Sequence, residues 1–458
     1  MPDAGPNLLV IQTDEQSAWT LGVYGGRLVE TPNIDRLGRE GAVFDNFFTN
    51  SAVCTPSRGC FLTGRYPEAH GAFANNEILR RDEITWAQVL ADRDYETGYA
   101  GKWHLDGTPR PGWVHPDRSM GFRDNRFMFN RGHWKRIETW PPEGREPTAF
   151  PYEVIGDETS YTTDWLTDRA IEFLRRPRSA PFAYMLSLPD PHTPFTVREP
   201  YASLYTPDAM PLPSTLRPAW MPRWASDLRR RMTQGIEDED LERVVRERMA
   251  AYCGMVKCID DNVGRLLAAL EEDGRLDDTV VVFTTDHGQY LGEHGLFGKN
   301  AMFETAYRIP LLIRWPRQIA PGTRIDRIVD TVDVQRTLLG LMGAEPCGRE
   351  QGRDASPLLR GEACAWEDIS FAHHCWQRAG ERPHAAHHSL AGAFTPGWQL
   401  ILDREGDHVL FDRAGDPAQT VNRYADPTCR TIVGDLTDRI VRHHAALQTP
   451  AHAWLATL

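Results

Sequence analysis

Asn7-Leu8-Leu9-Val10-Ile11-Gln12-Thr13, followed at once by Asp14 and Glu15, is the stretch from which the fold is read. It is a short, continuous apolar run bounded by Pro6 and Asp14. Such a run fits a strand covered on both faces, as in a parallel sheet. Residues 280–285 (VVVFTT) have the same character and end at Asp286-His287-Gly288. Residues 181–188 (PFAYMLSL) form a third run, ending at Asp190-Pro191-His192. Residues 95–100 form a weaker fourth, ending at Gly101-Lys102-Trp103-His104, and residues 309–315 a fifth. Helical patterns lie between them, at 83–92, 163–175 and 238–273, the last with Leu266, Leu267 and Leu270 on its buried side. Strands alternating with helices predict an α/β fold, with a mostly parallel central sheet sandwiched by helices. The polar residues gather just after the carboxyl ends of the strands, where open α/β sheets place their ligands.

Beyond about residue 366 the character changes. Residues 398–402 and 408–411, separated by Asp403-Arg404-Glu405-Gly406-Asp407, read as a β-hairpin, and 431–447 as a terminal helix. The expected division is a large α/β domain over 1–365 and a smaller C-terminal α+β subdomain over 366–458. Two irregular stretches rich in Pro and Trp, 134–151 and 189–223, are expected to wall a cleft. Trp103, Trp113, Trp134 and Trp140 could stack on a sugar or aryl group or pack internally. Arg131, Lys135 and Arg136 stand beside Trp134.

The chain has 458 residues, 41% of them hydrophobic and 25% charged, the composition of a globular protein large enough for one big domain and a smaller one. A net charge of −13 argues against a nucleic-acid binder. No stretch approaches membrane-spanning length, and the first residues lack the basic and apolar regions of a signal peptide, so a cytoplasmic location is expected. The eight cysteines, Cys54, Cys60, Cys253, Cys258, Cys347, Cys364, Cys375 and Cys429, form no C-x-x-C pair, which argues against a structural zinc site built on them.

One cysteine stands in special company. Cys54-Thr55-Pro56-Ser57-Arg58 continues through Leu62-Thr63-Gly64-Arg65, the full run being CTPSRGCFLTGR. It resembles the C-x-P-x-R signature of the formylglycine-dependent sulfatases in the alkaline-phosphatase superfamily. A helix is expected to begin near Ser57, seating Cys54 at a helix N-terminus with free N–H donors and partial positive charge. The resemblance extends from the first strand to about Pro316, and more weakly to HVLFDRAGDPAQTVNRYADP. It implies a sulfuric ester hydrolase. A formylglycine-generating enzyme would act as maturation partner and oxidise the Cys54 thiol to an aldehyde. The hydrated aldehyde would attack sulfur, and collapse of the diol would then expel sulfate.

By the same resemblance, Asp14, Glu15, Asp286 and His287, with residue 54, form a metal cradle. Paired acidic residues at a strand end suit a hard divalent cation, calcium first, with magnesium and manganese as alternatives. Glu15 also fits a solvated turn. Arg58 would hold the nucleophile. Lys102 and His104 would contact the sulfate and residue 54, with strand alternation placing both on one face and Trp103 on the other. His192 (DPHTPF) and Lys299 (HGLFGKNAMFE) would contact the sulfate, either of them protonating the leaving alcohol, and His104 would be the base. Asn75 would line the substrate pocket, and His294 would be a supporting residue. The expected substrate is a small-molecule or oligosaccharide sulfate ester. Arg131, Lys135 and Arg136 beside Trp134 lean toward a sulfated carbohydrate, with a small alkyl or aryl sulfate as the alternative. No nucleic acid and no membrane is expected as partner. Self-association into a homo-oligomer stays open. A phosphonate monoester or phosphodiester hydrolase of the same superfamily is the alternative, and the Lys102/His104 pair favours sulfate over it.

Overall fold

In the computed structural model the first apolar run lies near the middle of a nine-stranded sheet. The structure describes residues 5–107, 112–115, 117–139, 148–374, 390–447 and 450–458. Trp140 and Cys375, both singled out in the sequence, lie outside the described residues. The strands are β1 (Asn7–Thr13), β2 (Ala42–Phe48), β3 (Glu96–Lys102), β4 (Gly112–Trp113), β5 (Asp124–Arg131), β6 (Phe182–Ser187), β7 (Thr279–Thr285), β8 (Leu311–Arg314) and β9 (Thr323–Asp330). Their order across the sheet is β9-β2-β8-β7-β1-β6-β3-β5-β4. β7, β1, β6, β3 and β5 run parallel. β8 is antiparallel to both β7 and β2, and β4 to β5.

Both faces of β1 are covered, which is why its sequence shows no alternation. Leu8 and Val10 pack with Phe61, Trp86, Leu90 and Leu338. These come from helices α2 (Cys54–Thr63), α4 (Trp86–Ala91) and α7 (Val334–Leu341). Leu9 and Ile11 pack on the other side with Leu37, Leu166, Val263 and Leu267. Those belong to α1 (Pro32–Glu40), α5 (Thr162–Leu174) and α6 (Leu241–Glu272). This is the three-layer sandwich that the alternation of strand and helix predicted.

Several elements differ from expectation. α2 begins at Cys54 itself, three residues before the expected start near Ser57, so Cys54 is the first helical residue and Ser57 lies inside. α4 begins only at Trp86, because Thr85 Oγ1 caps it by accepting the Gln88 N–H at 3.1 Å. β2 and β9 pair in parallel at the far edge and are invisible as apolar runs. Asp45 and Asn46 sit half-buried within β2, and Arg324 and Asp326 are exposed in β9.

A second, four-stranded antiparallel sheet contains strands β10 (Ser370–His373), β11 (Leu390–Phe394), β12 (Trp398–Asp403) and β13 (Val409–Asp412), in that order. The expected hairpin is β12–β13. One face, through Ala391, Leu400 and Leu410, packs on Leu436 and Ile440 of the terminal helix α8 (Arg430–Ala446). The opposite face, through Phe394, Ile401 and Phe411, packs on Phe48, Phe303 and Tyr307. The small sheet is therefore fastened to the large one by an apolar seam.

Register sets the geometry of the site. Thr13 lies opposite Thr285 and Gln12 opposite Ser187, so β1, β7 and β6 end level with one another. Beside them β3 must approach closely. Gly101 has φ 106°, and a Cβ there would sit 1.8 Å from the Ser187 carbonyl oxygen. Glycine alone satisfies both conditions. Gly101→Ala should therefore destabilise the fold by about 3 kcal/mol, from backbone strain added to the clash. Urea denaturation would register it, and an unchanged midpoint would contradict this reading of β3.

Candidate active site

The site is assembled around the first turn of α2. Val53, in extended conformation, precedes Cys54, and the early N–H groups of the helix need acceptors from elsewhere. Asn75 Oδ1 accepts the Thr55 N–H at 3.1 Å, so the expected pocket-lining residue serves the helix start beside the cysteine. Thr55 Oγ1 donates to the His104 carbonyl at 2.7 Å, and Ser57 Oγ to the Asp286 carbonyl at 2.6 Å. These bonds fix the helix to the ends of β3 and β7.

Arg58 makes the same connection with charge. Its side chain is 2% exposed. Nε and Nη2 each lie 3.0 Å from Asp286 Oδ2, and Nη2 lies 3.7 Å from Asp14 Oδ1. Nη1 donates to Ser187 Oγ at 2.7 Å, the Lys102 carbonyl at 2.9 Å and Gln12 Oε1 at 3.2 Å. One guanidinium thus touches β1, β3, β6 and the turn after β7. Burial alone would lower its pKa, but Asp286 and Asp14 raise it, so it stays charged. Nε and Nη1 are occupied by these oxygens, while Nη2, though close to both carboxylates, makes no hydrogen bond among the described residues.

Around the Cys54 Sγ stand Lys299 Nζ at 3.1 Å, His287 Nε2 at 3.3 Å, and Asp14 Oδ1 and Lys102 Nζ at 3.7 Å. Lys102 pairs with Asp14, and Lys299 with Glu15. His192 Nε2 lies 3.0 Å from Glu15 Oε1 and 3.4 Å from Lys299 Nζ. Burial opposes ionisation of Asp14, yet Lys102 and His192 hold its pKa well below the usual carboxylate range. Glu15 is likewise lowered against burial, by His192 and Lys299. Burial would lower His287, but Asp286 and Cys54 raise it to about 9.

The donor atoms of Asp14, Glu15, Cys54 and His287 all lie within 4.8 Å of one another, and all four residues are buried. Two ionised carboxylates and an imidazole converging in a sealed pocket fit a hard divalent cation. Glu15 points into this cluster and is not a solvated turn residue. Asp286, the remaining expected ligand, stands at the edge of this cluster, its Oδ1 3.8 Å from His287 Nε2. Oδ2 is held by Arg58, and Oδ1 accepts the backbone N–H groups of Glu15 at 3.0 Å and His287 at 2.9 Å.

Other expectations change. β3 ends at Lys102 and His104 has a positive φ of 56°, so strand alternation does not extend to it. His104 is nevertheless buried, its pKa pushed well down by burial and then by Lys102. Neither of its ring nitrogens has a hydrogen-bond partner among the described residues. Lys135 is buried and paired with Asp190 at 2.6 Å, Arg136 pairs with Glu138, and Arg131 donates to the neutral amide of Asn76 at 2.8 Å. Trp103, Trp113 and Trp134 pack into the core. His294 stacks on Phe303 at 4.0 Å and supports its loop.

The sequence reading missed His133. Its Nε2 lies 3.1 Å from Lys102 Nζ and 3.3 Å from Asp14 Oδ2, and its ring stacks on His192 with centroids 3.7 Å apart. The only signal was its place two residues after β5, at the same edge as the other site residues.

A nucleophile position at a helix start, ringed by fixed cations and imidazoles at the carboxyl edge of a parallel sheet, defines a hydrolase for anionic esters. The Sulfatase family model matches residues 6–344, and the N-sulphoglucosamine sulphohydrolase C-terminal model matches 292–446. The chain belongs to the sulfatase family and is a sulfuric ester hydrolase. It is 27% identical to the N-acetylglucosamine-6-O-sulfatase of Bacteroides thetaiotaomicron, over 91% of this chain and 82% of that one. It is 30% identical to the multifunctional alkaline phosphatase superfamily protein PehA of Trinickia caryophylli, over 90% and 88%. Among solved structures, one in complex with its substrate D-glucosamine-2-N,6-O-disulfate shares the fold at TM-score 0.78, 24% identity, covering 98% of this chain and 100% of that one. The phosphonate monoester hydrolase of Agrobacterium radiobacter does so at TM-score 0.80 and 23% identity, covering 96% of each.

Two predictions follow from the charges around α2. Arg58→Met keeps volume but leaves Asp14 and Asp286 short of a cation, and should cost about 3–5 kcal/mol of stability at neutral pH. Equal denaturation midpoints would show that the cluster does not rely on Arg58. His70, at the end of the short helix α3 (Pro67–His70), lies beneath α2, where Gly59 leaves room for its ring. Burial pushes its pKa from 6.5 to about 3. The unfolded chain binds this proton below about pH 6.5 and the folded chain does not, so stability present above that pH is lost as pH falls. The loss by pH 5 should be about 2 kcal/mol. His70→Asn should flatten the pH dependence of the urea midpoint between pH 7 and 5, and an equally steep dependence would contradict this.

Proposed function

We propose that this chain hydrolyses a sulfate monoester on a carbohydrate, using an aldehyde made from Cys54 and a calcium ion. The observation that carries the reading is the ring of Lys299, His287, Lys102 and Asp14 within 3.7 Å of the Cys54 Sγ, at the start of α2. A plain thiol in such a ring could attack a sulfate but could not readily release it. A hydrated aldehyde supplies both an attacking oxygen and a second hydroxyl through which sulfate departs by C–O cleavage. A divalent cation held by Asp14, Glu15, Asp286 and His287, with residue 54, would supply positive charge opposite the developing negative charge. The oxygen-rich donor set makes calcium the first choice, with magnesium or manganese as the alternatives.

The chain's own residues then have distinct tasks. Lys102 and Lys299 are paired with the very carboxylates that a cation would occupy, so loading the cradle would free both ammonium groups for sulfate oxygens. His192, on the more open side of the cluster, and Lys299 stand within 3.4 Å of each other and share the task of protonating the leaving alcohol. His104, tied to the residue after Cys54 through its carbonyl and with both ring nitrogens unpartnered among the described residues, is assigned as the base at position 54. His133 stacks on His192 and fixes its plane. A sugar as the alcohol is supported by relatives named N-acetylglucosamine-6-O-sulfatase and ulvan-active sulfatase.

The test is turnover across sulfated glucosamines and other sulfated sugars, p-nitrophenyl sulfate and phenyl phosphonate. A sulfated sugar should lead phenyl phosphonate by at least about 100-fold in kcat/KM, and Cys54→Ala should lose about 1,000-fold or more. Faster phosphonate turnover would replace the reading with the phosphonate hydrolase alternative, and full activity of Cys54→Ala would remove the nucleophile. Removal of divalent cations with a chelator should abolish turnover, with calcium restoring it.

A further inference from the structure

We propose that His373, His443 and His444 form a second metal site, for a divalent transition metal of the zinc class, with Glu68 as its outer carboxylate. The site shares no residue with the catalytic cluster. Donor nitrogens of the three histidines all lie within 4.8 Å of one another. His373 is the last residue of β10, and His443 and His444 lie in the final turn of α8. Glu68 belongs to α3, the short helix that follows the signature helix α2. Three separate elements therefore converge on one point.

The chemistry of His373 is specific. Its Nδ1 stands 2.9 Å from a Glu68 carboxylate oxygen, and its Nε2 stands 3.0 Å from His443 Nε2. A carboxylate selects the tautomer with the proton on Nδ1, which leaves a lone pair on Nε2. A metal-binding histidine is oriented in the same way, with its remote N–H given to a carboxylate. Two zinc–nitrogen bonds of about 2.0–2.1 Å at a tetrahedral angle hold their nitrogens about 3.3 Å apart. The His373–His443 separation is close to that value. His444 completes the set from the adjacent position of the helix, its ring centroid 4.7 Å from that of His373.

The surroundings hold the rings in place. His373 is fully buried and its backbone N–H donates to the Asn50 carbonyl at 2.7 Å. Tyr66 stacks on His373 with centroids 5.0 Å apart, and Phe371 stacks on His443 at 3.9 Å. Three imidazoles packed on one another, two of them also stacked on Tyr66 and Phe371 and one backed by a carboxylate, form a pocket in which nitrogen donors favour a borderline-soft cation over calcium. A metal here would staple α8 and the small sheet to α3, directly behind the signature helix, and would stabilise that junction as structural zinc does elsewhere.

The test compares zinc and cobalt binding by the full chain and its variants after chelator treatment and reloading. The wild type should retain about one more equivalent of zinc than His443→Asn or His444→Asn, whereas Asp14→Asn should not lose that equivalent. Cobalt(II) should give visible absorption of an imidazole-bound ion in the wild type and in Asp14→Asn, absent from His443→Asn. Glu68→Gln should weaken zinc binding by about 10–100-fold. Zinc should raise the melting temperature of the stripped wild type but not of His443→Asn. Equal zinc retention by the wild type and both histidine variants would overturn the proposal. So would the lack of a cobalt spectrum in wild type and Asp14→Asn, a readout that holds even where the histidine variants fail to fold.

Discussion

The contact of Arg58 with Asp286 and Asp14 is the interaction on which the site depends. It joins the signature helix to the ends of two central strands, and its remaining donors reach the ends of two more. A buried ion pair of this kind is expensive to desolvate, and the hydrogen bonds around it must offset that cost. Here Nε and Nη1 both meet well-placed acceptors, and Asp286 is also bonded by two backbone N–H groups. Such a cluster locks geometry more than it adds stability. It sets Cys54 at a fixed height above the sheet edge, where the partial charge of the helix start and the lysine side chains coincide.

Charge balance explains why so acidic a chain can bind an anion. Asp14, Glu15 and Asp286 face Arg58, Lys102 and Lys299 within one sealed region, so the site is formally neutral before its imidazoles are counted. Adding a divalent cation makes the pocket positive, whatever the net charge of −13 on the whole chain. The local field decides what binds, and the outer surface decides what is repelled.

The sheet was legible because β1, β6 and β7 are covered on both faces and each apolar run stops at a charged or imidazole-bearing turn. The strand ends then named Asp14, Lys102, His192 and Asp286 without knowledge of their distances. β2 and β9 were not legible, because strands that carry charge at mid-length look like loops in a sequence. His133 was missed for a related reason, since it follows β5, a strand with little apolar run. Lys135 misled in the opposite direction. A lysine in an irregular stretch reads as exposed, and its partner Asp190 is distant in sequence, so only the folded chain brings them together. The tryptophans of the same stretch read equally well as a sugar platform or as core, and packing assigns the described ones to the core.

Everything proposed for catalysis rests on the chemical state of residue 54, so the most direct measurement is the mass of the peptide that contains it, taken on samples of known turnover. The account predicts that sulfatase activity rises in proportion to the fraction carrying the aldehyde, and that protein made without a formylglycine-generating enzyme keeps the thiol and is nearly inactive. Full turnover from protein whose Cys54 is entirely thiol would contradict it.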